Sequence, residues 1–258
     1  MNRFERHMLD VLKRGRDEFG VVAVKAEFEA EGTRPDEFLR LTEIANKAGL
    51  DIALKIGGCE AVSDLLASKL YGVNYIIAPM VETPYALKKY VESKLKVYNS
   101  DEALDTKFLF NLETEYTLKN FEDMAPIAKS SNVGVVFGRV DFTLSRNLPR
   151  GSVNEDQITQ AVLSVAEVCA KHDIELVVGG SVSVDAIEQL KAFRAVRLDR
   201  FETRKVIFDG AAATASNLRQ GILNAVDFEL TWLKNKRAYY QNAADEDLKR
   251  IEMLEKRA

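Results

Sequence analysis

The ionisable residues of this 258-residue chain favour carboxylate and lysine chemistry. Two histidines, His7 and His172, and two cysteines, Cys59 and Cys169, are present; two cysteines make neither a zinc tetrad nor a disulfide framework. The remaining candidates sit where short apolar runs end. Lys25, Glu27 and Glu29 follow the first run, Lys55 the second, Glu82 the third, and Glu113 and Glu115 the fourth. Arg139 and Asp141 follow the fifth run, preceded by Gly138; Gly179, Gly180 and Ser181 follow the sixth, and Arg204 and Lys205 lie near the last two. Two carboxylates from adjacent runs, completed by waters and substrate oxygens, suit a hard divalent cation such as Mg2+ or Mn2+. Glu113 and Asp141 fit that role, and on residue type alone each serves equally as a salt-bridge partner or helix cap. A lysine desolvated in a cavity can form a Schiff base with a carbonyl substrate, an option open to Lys55 and Lys25. The glycines at 179 and 180, with Gly57 and Gly58, would let backbone approach a carboxylate or phosphate closely, or simply make tight turns.

Elements that could position these residues alternate in period. Apolar, β-branched runs at 21–27, 51–57, 74–80, 107–113, 133–139, 175–181, 194–199 and 204–209 read as strands, and longer amphipathic stretches between them read as helices. Pro35 suits a first helical turn, Gly49 a C-terminal cap, and Asn154 an N-cap for the helix that follows it. Strands buried on both faces should look almost continuously apolar, as most of these do. Eight such units predict an α/β fold, a (β/α)8 TIM barrel, whose chemistry gathers at the strand C-termini. Only three residues, FET, separate the last two predicted strands, so an irregular connection is expected there. No Pro- or Gly-rich linker divides the chain, which predicts one domain over 1–258, opened by a helix over 1–19 and closed by a helical extension over 212–258. Leu223, Val226, Leu230 and Leu233 form a stripe at helical spacing, and Trp232, Tyr239 and Tyr240 add contact area. A homo-oligomer built through these helices and a helix lying on its own barrel both account for them.

Composition narrows the partners. A net charge of −4 offers no global positive field for a phosphate backbone, which argues against nucleic acid. No run of about 18 apolar residues occurs and charges interrupt the opening segment, so neither a membrane span nor a secretory signal is expected. Together with the two cysteines, this points to a cytoplasmic protein.

Three segments carry a resemblance. APMVETPYAL at 78–87, NLETEYTLKN at 111–120 and GRVDFTLSRN at 138–147 resemble the metal-dependent pyruvate aldolase and citrate lyase beta-subunit superfamily, over about residues 20 to 190. The resemblance implies a barrel that binds pyruvate-like or phosphoenolpyruvate-like groups, with Glu113 and Asp141 holding Mg2+ or Mn2+. It implies carbon–carbon lyase or aldolase chemistry on a 2-oxo acid, the cation stabilising an enolate. Gly138, Arg139, Gly179 and Gly180 become candidates for substrate binding. Phosphoenolpyruvate or acyl-thioester chemistry on the same barrel, and a non-catalytic binding subunit, are the alternative readings. Two departures stand out. The family's arginine at the second strand is replaced by Lys55, and the general-base histidine after the first strand is replaced by EFEAEG. A proton acceptor must then come from Glu29, Glu27, Glu82, Lys55 or a bound water. Arg204 and Lys205 could face an anionic substrate group or pair with Glu202 or Asp209.

Overall fold

The structure is a computed structural model that describes residues 1–257. Strands β1 (Val21–Glu27), β2 (Asp51–Lys55), β3 (Tyr75–Ala78), β4 (Lys107–Leu112), β5 (Val133–Gly138), β6 (Leu176–Gly179), β7 (Arg200–Glu202) and β8 (Val206–Asp209) pair in sequence order into a closed barrel. Helices α2 (Pro35–Ala48), α3 (Val62–Leu70), α4 (Pro84–Val97), α5 (Glu115–Ser130), α6 (Arg139–Ser145), α7 (Asp156–His172) and α8 (Ile187–Val196) surround it. Helix α1 (Arg3–Phe19) precedes the barrel and α9 (Leu218–Glu255) follows it. Pro35 opens α2, and Gly49 closes it with φ 70°, a left-handed conformation that glycine adopts without a Cβ clash. The expected N-cap Asn154 stands one residue too early. Glu155 takes the cap position of α7, while the Asn154 side chain accepts a hydrogen bond from Arg139.

Parallel pairing runs from β1 through β7, but β8 lies antiparallel to both β7 and β1. The reason is the three-residue connection at 203–205, far too short for a crossover helix but sufficient for a hairpin. Thr203 closes that hairpin, its N–H donating to the Val206 carbonyl at 2.9 Å. The predicted seventh strand at 194–199 also shifts: residues up to Val196 finish α8, and the strand begins at Arg200. Because β8 descends, α9 starts at the floor of the barrel and climbs, antiparallel to α1. Asn217, Asn224, Asp227 and Asn235 bond in turn to Glu18, Arg14, His7 and Asn2. Trp232 is buried on its own barrel, while Leu223, Val226, Leu230 and Leu233 remain about half exposed, as do Leu248, Ile251 and Leu254 beyond the barrel.

Two apolar layers hold the fold. The larger lies between strands and helices; the smaller fills the barrel with Ala23, Ala53, Tyr75, Ile77, Leu109, Val136, Val177 and Ile207. Burying one large aliphatic or aromatic side chain contributes about 1.5–3 kcal/mol. Alternate strand residues share a face, so the inward residues above Ala23, Ala53, Leu109, Val136 and Val177 are Lys25 and Glu27, Lys55, Asn111 and Glu113, Gly138, and Gly179. The barrel interior therefore changes from apolar to charged within two residues at the ends of β1, β2 and β4, with glycines at the ends of β5 and β6. At the floor, Arg200 is buried over the Tyr75 ring, 4.0 Å from its centroid, and pairs with Glu175 at 2.7 Å. Among the described residues no helix is long and apolar enough to cross a membrane.

Candidate active site

A cleft of about 530 Å³ opens at the C-terminal ends of the strands, a size typical of small-molecule sites. It is lined by six carboxylates (Glu27, Glu29, Glu113, Asp141, Glu202, Glu229) and four cations (Lys25, Lys55, Arg150, Arg204). With all of them ionised, the lining carries an excess of two negative charges. Buried charge of this density is costly unless paired, and two ion-pair groups organise most of it.

Glu113 centres the first group. The residue follows β4 and is 1% exposed. Its Oε1 accepts from the Met80 N–H at 3.0 Å, and its Oε2 accepts from Asn111 Nδ2 at 2.5 Å and lies 3.4 Å from Lys55 Nζ. The neighbouring strand makes room: a Cβ on Gly138 would stand 2.9 Å from both Cβ and Oε2 of Glu113. Burial pushes the Glu113 carboxyl above its usual range and Asp141 adds to the effect, while Lys55, Asn111 and the Met80 N–H oppose it. Asp141, in the first turn of α6, thus acts electrostatically on Glu113 across the same cleft. Lys55 Nζ also lies 3.4 Å from Glu29. Burial works against the ammonium, but Glu113, Glu29 and Glu27 outweigh it and hold the amine above its ordinary value.

Lys25 centres the second group. Its Nζ is 2.5 Å from Glu202 and 3.4 Å from Glu27, and all three residues are at least nine-tenths buried. Burial disfavours the charge, yet the two carboxylates prevail and the amine is again raised. Both lysines are therefore ammonium ions at neutral pH. That argues against the Schiff-base option, which needs a free amine.

Other candidates lie elsewhere. Arg139 is fully buried and does not line the cleft; it donates to the Gly179 and Gly180 carbonyls at 3.3 and 2.9 Å and to Asn154 at 2.9 Å. Burial pushes its guanidinium down to about 10, still charged at neutral pH. The expected substrate contact is thus replaced by a brace on the loop after β6, because α6 begins at Arg139 and turns the side chain away from the mouth. Glu82 is also outside the cleft, accepting a 2.7 Å hydrogen bond from Thr114 at the start of α5. Glu115 pairs with Arg146, and the Gly57 N–H donates to Asp64. Gly179 and Gly180 do line the cleft, but each has a packing task. A Cβ on Gly179 would stand 2.9 Å from Cγ and Oε1 of Glu202, and one on Gly180, where φ is 84°, would meet the Val140 N–H nitrogen at 2.7 Å.

Arg204 and Lys205 take neither Glu202 nor Asp209 as partner. Both bind Glu31, Arg204 at 2.9 Å, which ties the loop after β1 to the β7–β8 hairpin. Lys205 is held below its ordinary value by burial, which Glu31 only partly offsets. Sequence reasoning missed Asn111, although it shares the inward face of β4 with Glu113 by the two-residue period. It also named Glu202 only as a pairing option for Arg204 and Lys205, because the seventh strand was expected earlier. Glu229 and Val226 reach the cleft only because α9 climbs past the mouth.

The donor set suits a hard cation. Among the described residues no three His, Cys, Asp or Glu side chains converge on one metal-sized point, so an ion here would be held by Glu113 and Asp141 with water and substrate oxygens completing its shell, an ordinary arrangement for Mg2+.

Comparison with protein-family models finds no match, and neither does comparison with curated protein sequences. Solved structures do match. An HpcH/HpaI aldolase from Desulfitobacterium hafniense aligns with a TM-score of 0.61 and 10% identity over 76% of this chain and 82% of that one. An HpcH/HpaI aldolase/citrate lyase family protein from Burkholderia cenocepacia aligns at 0.58 and 11% over 91% and 99%. A citrate synthase variant, SbnG, aligns at 0.57 and 17% over 89% and 90%. The likeness at these identities is one of fold: this chain shares the barrel of those proteins.

Proposed function

We propose that this chain is a divalent-metal-dependent carbon–carbon lyase or aldolase acting on a 2-oxo acid through pyruvate-enolate chemistry. The observation that carries the proposal is Glu113, a buried carboxylate raised by burial and by Asp141, in a cleft whose lining sets six carboxylates against four cations. The barrel it shares with aldolase structures adds support.

Glu113 and Asp141 would hold Mg2+ or Mn2+, which when bound supplies Lewis-acid stabilisation of a developing enolate oxygen. Met80 and Asn111 fix the Glu113 carboxylate in one orientation. Lys55 presents a compact positive charge between Glu113 and Glu29, suited to an anionic oxygen but without the bidentate fork of an arginine. Glu29 is the proton carrier in this reading, because its Oε2 is buried with no hydrogen-bond donor, beside Lys55. For a 4-hydroxy-2-oxo acid, Glu29 takes the C4 hydroxyl proton as the C3–C4 bond breaks. The bonding pair stays on the pyruvyl fragment as its enolate, C4 leaves as an aldehyde, and the same proton returns to C3 to give pyruvate. Addition runs the same steps in reverse.

The test is Mn2+ binding by electron paramagnetic resonance, alongside pyruvate release from 4-hydroxy-2-oxo acids. Wild type should bind Mn2+ and release pyruvate only with a divalent cation; Glu113→Gln and Asp141→Asn should each weaken Mn2+ binding by at least about 10-fold. Equal Mn2+ binding in all three proteins, or pyruvate release that survives chelation, refutes the proposal.

A further inference from the structure

Among the described residues, five buried side-chain polar atoms lack a hydrogen-bond partner, and three of them, Glu29 Oε2, Asn111 Oδ1 and Glu202 Oε2, belong to residues that line the cleft. All three are acceptors. Buried polar atoms are normally paired, so acceptors gathered around one cavity point to a ligand that brings donors. Glu29 and Asn111 stand with Lys55 and Glu113 at the proposed keto-acid end. Glu202 does not. It belongs to the group at the β1 and β7 ends, where its Oε1 is held 2.5 Å from Lys25 Nζ.

The placement of Glu202 is built. The residue is 4% exposed, Lys25 anchors one oxygen, and Gly179 on the adjacent strand vacates the space its side chain crosses. With Oε1 engaged by Lys25, Oε2 is left over, and the surrounding protein offers it no donor. We propose that Glu202 is a specificity-determining residue for the second reactant: its Oε2 accepts a hydrogen bond from a hydroxyl on that molecule's carbon chain. The inference rests on the aldolase reading above and names the chemical class of its partner, a hydroxylated aldehyde rather than an alkyl one. A hydroxyl suits the site better than an ammonium, because it brings the donor that Oε2 lacks without setting a second positive charge beside the Lys25 ammonium. A site arranged to bond a hydroxyl discriminates strongly against the analogue that lacks it, since the buried acceptor is then left unpaired.

The experiment has two readouts on the protein loaded with Mn2+. Exchange of pyruvate C3 protons with D2O, followed by NMR, reports the keto-acid half alone. Aldol addition of pyruvate to lactaldehyde and to propanal, equal in carbon number and differing by one hydroxyl, reports the second half. Wild type should favour lactaldehyde by about 10- to 100-fold in kcat/KM, the range of one hydrogen bond to a charged group. In Glu202→Gln, with the amide oxygen turned to Lys25 and the amide nitrogen where Oε2 was, the hydroxyl would accept a neutral hydrogen bond about half as strong, so that preference should fall to about 3- to 10-fold while proton exchange persists. Gly179→Ala, whose Cβ would stand 2.9 Å from the Glu202 side chain, should lose the preference in the same way through a different atom. Exchange retained with an unchanged hydroxyl preference in both variants overturns the role of Glu202 and leaves the keto-acid reading standing. Absence of exchange in wild type overturns both.

Discussion

Replacing Lys25 with methionine removes the one cation shared by Glu27 and Glu202 while keeping the length of the side chain. Lys25 is 7% exposed, and its partners are 9% and 4% exposed, so water can replace little of the lost charge. Breaking a buried pair by removing one member costs about 3–5 kcal/mol, because the other charge is left uncompensated. For a domain near this size each kcal/mol moves the melting temperature by about 2–4 °C, which gives a fall of about 6–20 °C. The sign with pH follows from the same contacts. The Lys25 amine is raised, so its contribution is fully present below the ordinary lysine value and is lost only as pH rises through the folded one. In the methionine variant the two carboxylates lose their counter-charge, and protonating them relieves the strain. The deficit should be largest near neutrality and shrink as pH falls into the carboxylate range. Calorimetric melting of both proteins at pH 7 and pH 5 measures this. The double variant Lys25→Met, Glu202→Gln should recover part of the loss, since one of the unpaired charges is gone. A fall below about 1 kcal/mol, or one of equal size at both pH values, would show that the ion pair is solvated and refute the reasoning.

Glu113→Gln should raise the melting temperature of the metal-free protein near neutral pH. The Glu113 carboxyl is raised by burial, so its ionised form costs stability above the folded value, and the difference from wild type should vanish as pH falls below the ordinary glutamate value. Asn111 can turn its unpaired Oδ1 toward the new amide; an unchanged or lowered melting temperature at pH 7 contradicts this. Gly138→Ala forces a Cβ to within 2.9 Å of Glu113, an overpacking of about 1–3 kcal/mol, and urea denaturation should show that loss together with weaker Mn2+ binding. Arg139→Met should destabilise by about 2–4 kcal/mol by leaving the Gly179 and Gly180 carbonyls without their donor. Hydrogen exchange should then speed up in residues 179–182 while Mn2+ affinity changes by less than about 3-fold, because Arg139 does not line the cleft.

Local chemistry along the chain determined a good deal. The change of period marked the strands and helices, Pro35 and Gly49 marked the ends of α2, and the short connection before the last strand predicted the break in βα repetition. That Glu113, Asp141, Lys55 and Glu29 gather at one mouth was legible because a barrel sends strand-end side chains there, and all four line the cleft. Direction and partnership were not legible. Whether Arg139 faces the mouth or braces a loop depends on where α6 starts, and a single strand-end arginine carries no sign of that choice. The antiparallel course of β8 decided more: it sent α9 upward, brought Glu229 to the cleft and set Arg204 and Lys205 against Glu31. Glu202 became a buried neighbour of Lys25 for a similar reason, 177 residues away in sequence. Periodicity is a property of neighbours in the chain, whereas ion pairing in a closed barrel is a property of neighbours across it, and only closure settles which charges meet.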